Sequence, residues 1–105
     1  MSRFPRTRPS RRIMSEMAVT RTVWVANRAG LHARAAAMIA TRLRRYKARV
    51  TITKANNRVE GTDVLQLLSL GAAQGEEVLL EATGDEAELA LDALEDMFID
   101  RFGED

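Results

Sequence analysis

The feature that most constrains the fold of this chain is the spacing of its apolar residues, which alternates between two periods along the sequence. A period of two is typical of a strand with one buried face, and a period near 3.6 is typical of an amphipathic helix. The strand pattern occurs in VTRTVWV (19–25), ARVTITK (48–54), RVEG (58–61) and EEVLLEAT (76–83). The helix pattern occurs in ARAAAMIATRLRRY (33–46), TDVLQLLSLG (62–71) and GDEAELALDALEDMFIDRF (84–102). The predicted order of elements is therefore βαββαβα.

Residues between these segments support the assignment. The tripeptide ANN (55–57) predicts a turn between the second and third strands. Thr62 and Asp63 are N-cap residue types at the start of the second helix, and Gly71 follows its last turn. Short strands and helices that are apolar on one side predict an α+β fold, an open-faced two-layer sandwich with an antiparallel four-stranded sheet and three helices on one face. Periodicity does not determine the strand order, and many unrelated small domains share this layout.

The length and composition of the chain narrow the class of protein. A chain of 105 residues is long enough for one domain with a modest core. It has no cysteine, which excludes disulfides, thiolate chemistry and cysteine-ligated metal sites and fits a reducing cytoplasm. No apolar run approaches the roughly 18–20 residues that span a bilayer. We therefore expect a cytoplasmic protein without membrane insertion.

Residues 1–17 contain five arginines and two prolines with little periodicity, which predicts a disordered basic tail ahead of a single domain at 18–105. Arg11 and Arg12 form an arginine pair, but no apolar segment follows them, so an export signal is not indicated. Two alternatives remain for this segment. It contacts an acidic partner or nucleic acid, or it precedes the true initiator at Met14 or Met17.

The net charge of +1 conceals an asymmetry along the chain. Between Ala18 and Arg58 there are ten Lys or Arg and no acidic residue, whereas between Val59 and Asp105 there are fourteen acidic residues and only Arg101. A positive surface near the first helix would attract a phosphate or an acidic partner. The alternative is that both sets of charges lie on solvated faces that keep the protein soluble.

His32 is the only histidine, so the chain has no histidine cluster for a metal. It follows a turn that Gly30 permits and precedes the first helix, whose free backbone N–H groups form an anion site. Imidazole is a nucleophile, and a phosphoryl group on it would meet the amides of Ala33 and Arg34, the helix dipole and the Arg34 guanidinium. The Arg34 guanidinium lies at the positive end of the helix dipole, which is unfavourable unless an anion binds there. The alternative is that His32 only caps the helix.

The segment NRAGLHARAA (27–36) resembles the active-site signature of the HPr phosphocarrier proteins of the bacterial phosphoenolpyruvate-dependent phosphotransferase system, in its sugar or nitrogen-related branch. LLSLGAAQGEEVLLEATG (67–84), with Gly71 and Gly75, is similar to the second-helix and last-strand region of that family. The ending FGED is also similar to endings in the nitrogen-related and other proteobacterial-type branches. The resemblance extends from Val19 to about Phe102 and implies an HPr-like fold.

The resemblance implies a role for three residues of the signature. His32 would accept a phosphoryl group on Nδ1 from phosphorylated Enzyme I and pass it to an enzyme IIA domain. Arg34 would neutralise the phosphate, and Asn27, ahead of the loop, would help to bind it. The implied partner-docking positions are apolar residues of the first two helices: Ala37, Met38, Val64, Leu65 and Leu68. For these five, core packing is the alternative.

Two positions depart from the family pattern. Ala35 replaces the usual proline, and alanine is the best helix former, so transfer should survive. Asp63 stands at the position where Gram-positive relatives carry a regulatory serine, so serine phosphorylation at this position is impossible in this chain. Asp63 is either a plain helix cap or a partial mimic of a modified state.

The resemblance predicts a phosphoryl carrier rather than a turnover enzyme, with no cofactor, no nucleic-acid partner and a monomeric state. Two other functions stay open. One is a regulatory homologue that controls nitrogen or carbon metabolism through phosphorylation-dependent binding. The other is a non-catalytic α+β interaction module in which His32 only caps the helix.

Overall fold

The computed structural model describes residues 17–104. The predicted tail therefore lies outside the described residues, except for Met17. Seven strands and α-helices follow in the predicted order: β1 (Val19–Trp24), α1 (Ala33–Leu43), β2 (Arg49–Lys54), β3 (Asn57–Glu60), α2 (Val64–Ser69), β4 (Glu77–Thr83) and α3 (Ala87–Ile99). A short 3-10 helix (Arg101–Gly103) follows α3.

The four strands form one antiparallel sheet in the order β1-β4-β2-β3. The last strand therefore lies between the first and the second, an arrangement that the periodicity did not determine. Alternate residues of the strands turn one face toward the helices, as the period of two requires. In β4 these are Val78, Leu80 and Ala82, all almost completely buried. The open-faced α+β sandwich is confirmed.

The core lies between the sheet and the helices. Helix α1 buries Ala35, Ala36, Ile39, Ala40 and Leu43, whereas Met38 is only partly buried at the edge of this stripe. Burial of a side chain such as Ile39 contributes about 1.5–3 kcal/mol relative to leaving it exposed. Helix α1 packs against α2 and α3, and the hydrogen bond from the Leu31 N–H to the Ala72 carbonyl oxygen places its N-terminus beside the loop between α2 and β4.

The end of the chain differs from the prediction. The helix pattern predicts α3 as far as Phe102, but the helix ends at Ile99, so this boundary is wrong. Arg101 and Phe102 have left-handed φ values of 57° and 55°, which turn the chain back over the domain. The Phe102 ring is buried and packs edge-on against Phe98, with 5.0 Å between ring centroids. Tertiary burial of this aromatic ring overrides the helical pattern and directs the last residues toward the N-terminus of α1.

Across residues 17–104 the structure has no helix that is both long and apolar enough to cross a membrane. Within the same range, no group of three or more His, Cys, Asp or Glu is placed to hold a metal ion.

Candidate functional site

The site begins with a tight turn at residues 27–30. Gly30 has a φ of +67°, and a Cβ at this position would lie 2.4 Å from the carbonyl oxygen of Ala72. The same Ala72 oxygen accepts a hydrogen bond from the Leu31 N–H at 2.9 Å. Only glycine fits this combination of positive φ and close backbone approach. The turn is thereby held against the loop before β4, and it sets the position of His32.

His32 is the N-cap residue of α1. Its Nδ1 accepts a hydrogen bond from the Arg34 N–H at 3.2 Å, so the cap that the sequence allowed is present. Because a backbone N–H can only donate, Nδ1 carries a lone pair and no proton. The ring proton of the neutral imidazole then lies on Nε2. Capping by His32 is therefore compatible with a nucleophilic role for its Nδ1, since the hydrogen bond of the cap holds the Nδ1 lone pair at the helix N-terminus.

The Nε2 atom of His32 faces a carboxylate from the end of the chain. Nε2 lies 2.9 Å from Oε1 and 3.0 Å from Oε2 of Glu104. Given the proton on Nε2, the imidazole donates and the carboxylate accepts. The His32 side chain is 31% exposed and the Glu104 side chain 24%, so the pair is partly shielded but open to a partner.

Arg34 reaches the same carboxylate. Its Nη1 donates to Glu104 Oε2 at 2.9 Å and to the Phe102 carbonyl oxygen at 3.1 Å. Its side chain is otherwise exposed, so the guanidinium is anchored at one nitrogen and accessible at the others. The cation that was unfavourable at the N-terminus of α1 is thus compensated by Glu104.

Asn27 is the fourth residue of the cluster that His32, Arg34 and Glu104 form. It is fully buried, and its Nδ2 donates to the Gly30 carbonyl oxygen and to Glu104 Oε1, both at 2.8 Å. Its Oδ1 has no hydrogen-bond partner among the described residues. Asn27 therefore fixes the turn and orients the Glu104 carboxylate, and only its amide nitrogen is used.

Hydrogen bonds from Asn27 and from His32 lower the pKa of Glu104 below its ordinary value, and the charge of the Arg34 guanidinium acts in the same direction. Glu104 is therefore ionised at neutral pH. The site combines an unprotonated Nδ1, a carboxylate on the opposite ring nitrogen and a cation beside both.

The comparison with known families decides the assignment. The family model described as the PTS HPr component phosphorylation site matches residues 19–100, which is most of the chain. The chain belongs to the HPr family of phosphocarrier proteins.

Relatives and solved structures agree with this placement. The phosphocarrier protein HPr of Neisseria meningitidis serogroup B is 39% identical over 84 residues, which cover 79% of this chain and 93% of the relative. The phosphocarrier protein NPr of Shewanella violacea is 36% identical over 74 residues, covering 70% and 81%. A crystal structure of HPr from Thermoanaerobacter tengcongensis superposes with a TM-score of 0.79 at 34% identity, covering 83% of this chain and 98% of that one.

The five predicted docking residues of this HPr-family chain divide into two groups. Ala37, Leu65 and Leu68 are exposed, and Leu65 is 78% exposed. Met38 and Val64 are partly buried and pack against the core. Leu65 and Leu68 lie at i and i+3 on α2, and Leu68 is 37% exposed. Core packing, the alternative to docking, therefore accounts in part for Met38 and Val64, whereas the other three are exposed.

Asp63 caps helix α2. Its Oδ1 accepts from the Gln66 N–H and its Oδ2 from Gln66 Nε2, both at 3.1 Å. The Gln66 Oε1 in turn accepts from the Glu60 N–H at 3.0 Å. Both carboxylate oxygens are used by the helix itself, which supports the plain cap.

Glu104 is the site residue that sequence reasoning missed. The ending FGED matched family endings, but nothing in the local pattern indicates that its glutamate reaches His32. The sequence offers one signal: an aromatic residue, Phe102, stands directly before a glycine at the end of the predicted helix. Glycine is typical of a helix end, so the chain can turn back there.

Proposed function

We propose that His32 is the phosphoacceptor of this phosphocarrier and that Nδ1 is the atom that accepts the phosphoryl group. The observation that carries the proposal is the ring geometry. The Nδ1 lone pair lies at the N-terminus of α1, while the Nε2 proton is held by Glu104 at 2.9 Å. A nucleophilic nitrogen at a helix N-terminus meets the charge that an incoming phosphoryl group brings.

The transfer step is a displacement at phosphorus. The Nδ1 lone pair forms the nitrogen–phosphorus bond, the bond from phosphorus to the donor atom breaks, and the donor atom keeps that electron pair. The proton stays on Nε2, so the phosphorylated ring carries a positive charge next to the Glu104 carboxylate. The released N–H of Arg34, the N–H of Ala33 and the Arg34 guanidinium then face the phosphoryl oxygens.

Asn27 has a positioning role in this proposal. Its amide nitrogen bonds Glu104 and the Gly30 carbonyl, so it holds the carboxylate on Nε2 and the loop under His32. Contact between Asn27 and phosphate would require the carboxamide to leave at least one of these partners.

The proposed partners are phosphorylated Enzyme I as donor and an enzyme IIA domain as acceptor, met in the cytoplasm by a monomer. Their docking surface consists of His32, Arg34, Ala37, Leu65 and Leu68, with Met38 and Val64 beneath. Both partners would use this surface in turn, because phosphoryl transfer requires each to reach the same nitrogen.

Intact-mass spectrometry after incubation with phosphoenolpyruvate and Enzyme I tests the proposal. The expected result is one acid-labile phosphoryl group on the wild-type chain and none on His32→Ala. Arg34→Gln keeps the nucleophile and the backbone cap, so it should still be phosphorylated, but more slowly. Stoichiometric phosphorylation of His32→Ala would contradict the assignment.

A regulatory role is a second candidate, and the similarity to an NPr protein favours it. Phosphoryl transfer to purified enzyme IIA domains of the sugar and nitrogen-related branches separates the two. Faster transfer to a sugar-specific domain supports the transport role, and faster transfer to the nitrogen-related domain supports the regulatory one.

A further inference from the structure

Helices α1 and α3 border an open groove that begins at Arg34, Ala37 and Met38 of the proposed docking surface and continues away from α2. Its volume is about 500 Å³, within the range of ligand-binding clefts. We call it the α1–α3 groove, and its lining residues are Arg34, Ala37, Met38, Thr41, Arg42, Arg45 and Met97. Val64, Leu65 and Leu68 are not among them, so the groove lies on the other flank of α1 from α2.

The groove has an apolar floor and a cationic rim. Met38 and Met97 are partly buried and pack against the core, and flexible thioethers adapt to different apolar side chains. Arg42 and Arg45 are exposed and form no ion pair with any acidic residue of the described range. The third cation is Arg34, which also binds Glu104.

We propose that the α1–α3 groove binds an acidic amphipathic helix of another protein, and that this helix competes with the phosphoryl group on His32 for Arg34. The competition rests on the proposed function, whereas the binding does not. An unphosphorylated chain would bind the helix more tightly, so partner binding would report the phosphorylation state.

The dimensions and chemistry of the groove match such a helix. Arg34 and Arg42 are eight positions apart on α1, which corresponds to roughly 12 Å of helix or about two turns, and Arg45 lies just beyond the end of that helix. An amphipathic helix of similar length places apolar residues at i, i+3, i+4 and i+7 on one face, and these would contact Met38, Met97 and Ala37. Acidic residues beside that face would then meet the three guanidinium groups.

Nucleic acid fits the groove less well than a protein. The lining contains no aromatic ring on which a base could stack. Asp96 on α3 and Asp100 just after it are exposed on either side of Met97 in the sequence, and they would repel a continuous phosphate backbone. A short acidic helix can place all of its carboxylates on the side of the groove that carries the arginines. A nucleic acid has regularly spaced phosphates and cannot avoid the side that carries the aspartates.

The experiment uses the full chain and a synthetic helical peptide of about 14 residues, with leucine at the four apolar positions and glutamate beside them. Amide shifts in NMR spectra locate the binding, and titration gives the dissociation constant. The expected shifts lie in residues 34–45 and 93–100, with little change at 64–68. Exchanging glutamate for lysine in the peptide should abolish binding.

Arg42→Gln/Arg45→Gln should weaken peptide binding by about tenfold or more, because two of three cations are lost. The matched control, Lys47→Gln/Arg58→Gln, removes the same charge outside the groove and should change binding by less than about twofold. Both pairs are exposed, so both variants should fold. Their phosphorylation by Enzyme I, measured separately, should stay close to that of the wild type.

Three results would overturn the binding proposal: shifts that map to α2, equal weakening by the control pair, or equally tight binding of single-stranded DNA. Each of these is measured on unphosphorylated protein and does not depend on phosphotransfer. The phosphorylated chain should bind the peptide at least about fivefold more weakly, since its phosphoryl group takes Arg34. Equal affinity of the two forms would overturn the competition, and failure of phosphorylation itself would count against the proposed function only.

Discussion

Substitution of Gly30 by alanine tests whether the loop geometry positions the site. Two costs apply to this substitution. Alanine must adopt a φ of +67°, and its Cβ would lie 2.4 Å from the Ala72 carbonyl oxygen. Gly71 provides a matched control, because its φ is +62° and a Cβ there would meet nothing within 4 Å. Gly71→Ala therefore has the conformational cost alone.

The magnitudes separate the two variants. The left-handed conformation costs alanine about 1–2 kcal/mol at either position. In Gly30→Ala the Ala72 carbonyl must also move, which disrupts its bond from the Leu31 N–H and leaves buried groups unpaired at about 1–3 kcal/mol. The two midpoints of thermal unfolding should then differ by roughly 4–24 °C, given about 4–8 °C per kcal/mol for a domain of this size.

Circular dichroism melting curves measure this difference, and phosphoryl acceptance from Enzyme I measures its effect on the site. Gly30→Ala should accept phosphate more slowly than Gly71→Ala even below its melting temperature, because Leu31 and His32 move with the loop. Equal melting temperatures for the two variants would refute the argument, since the contact with Ala72 would then have no energetic consequence.

Three further predictions concern other parts of the site. Asp63→Ala should lower the free energy of unfolding in urea by about 1 kcal/mol through loss of the α2 cap, whereas Asp63→Ser keeps a good cap. If Asp63→Ser also leaves the phosphotransfer rate unchanged, the mimicry hypothesis fails. Because its pKa is lowered on folding, Glu104 stabilises the fold fully above the ordinary glutamate pKa of about 4.3, and this contribution is lost as the pH falls below it. Glu104→Gln should therefore flatten the acid limb of the stability profile measured by urea unfolding at several pH values, and an unchanged limb would contradict the assigned network. Leu65→Ser should change the melting temperature little, because the side chain is 78% exposed, but should raise the KM for Enzyme I several-fold. An unchanged KM would remove Leu65 from the docking surface.

The sequence predicted the site best where the residues of the site lie close together in the chain. Gly30, His32, Ala33 and Arg34 lie within five positions, and a turn followed by a helix start places their groups together whatever the rest of the chain does. The cap on α2 was predictable for the same reason, since Asp63 and Gln66 are three residues apart. Boundaries were less certain, and α1 ends at Leu43 rather than Tyr46.

The docking positions illustrate a different limit. Spacing along a helix predicts which residues share a face, but it does not reveal whether another element covers that face. Leu65 and Leu68 have the same residue type as Leu67, yet Leu67 is fully buried and the other two are exposed. The distinction depends on where α2 lies relative to α1 and the sheet.

By itself the sequence determined the order of the elements, the α+β class and the loop that presents His32, because these follow from spacing over a few residues, and the resemblance of residues 27–36 to a known signature indicated the family. Only the tertiary structure decided the strand order and the presence of Glu104, 72 residues from His32, on its Nε2 atom. The physical reason is that this contact depends on a chain reversal at Phe102, which burial against Phe98 stabilises despite two left-handed residues. Local propensity favours continuing the helix there, so long-range packing of one ring determines which carboxylate reaches His32.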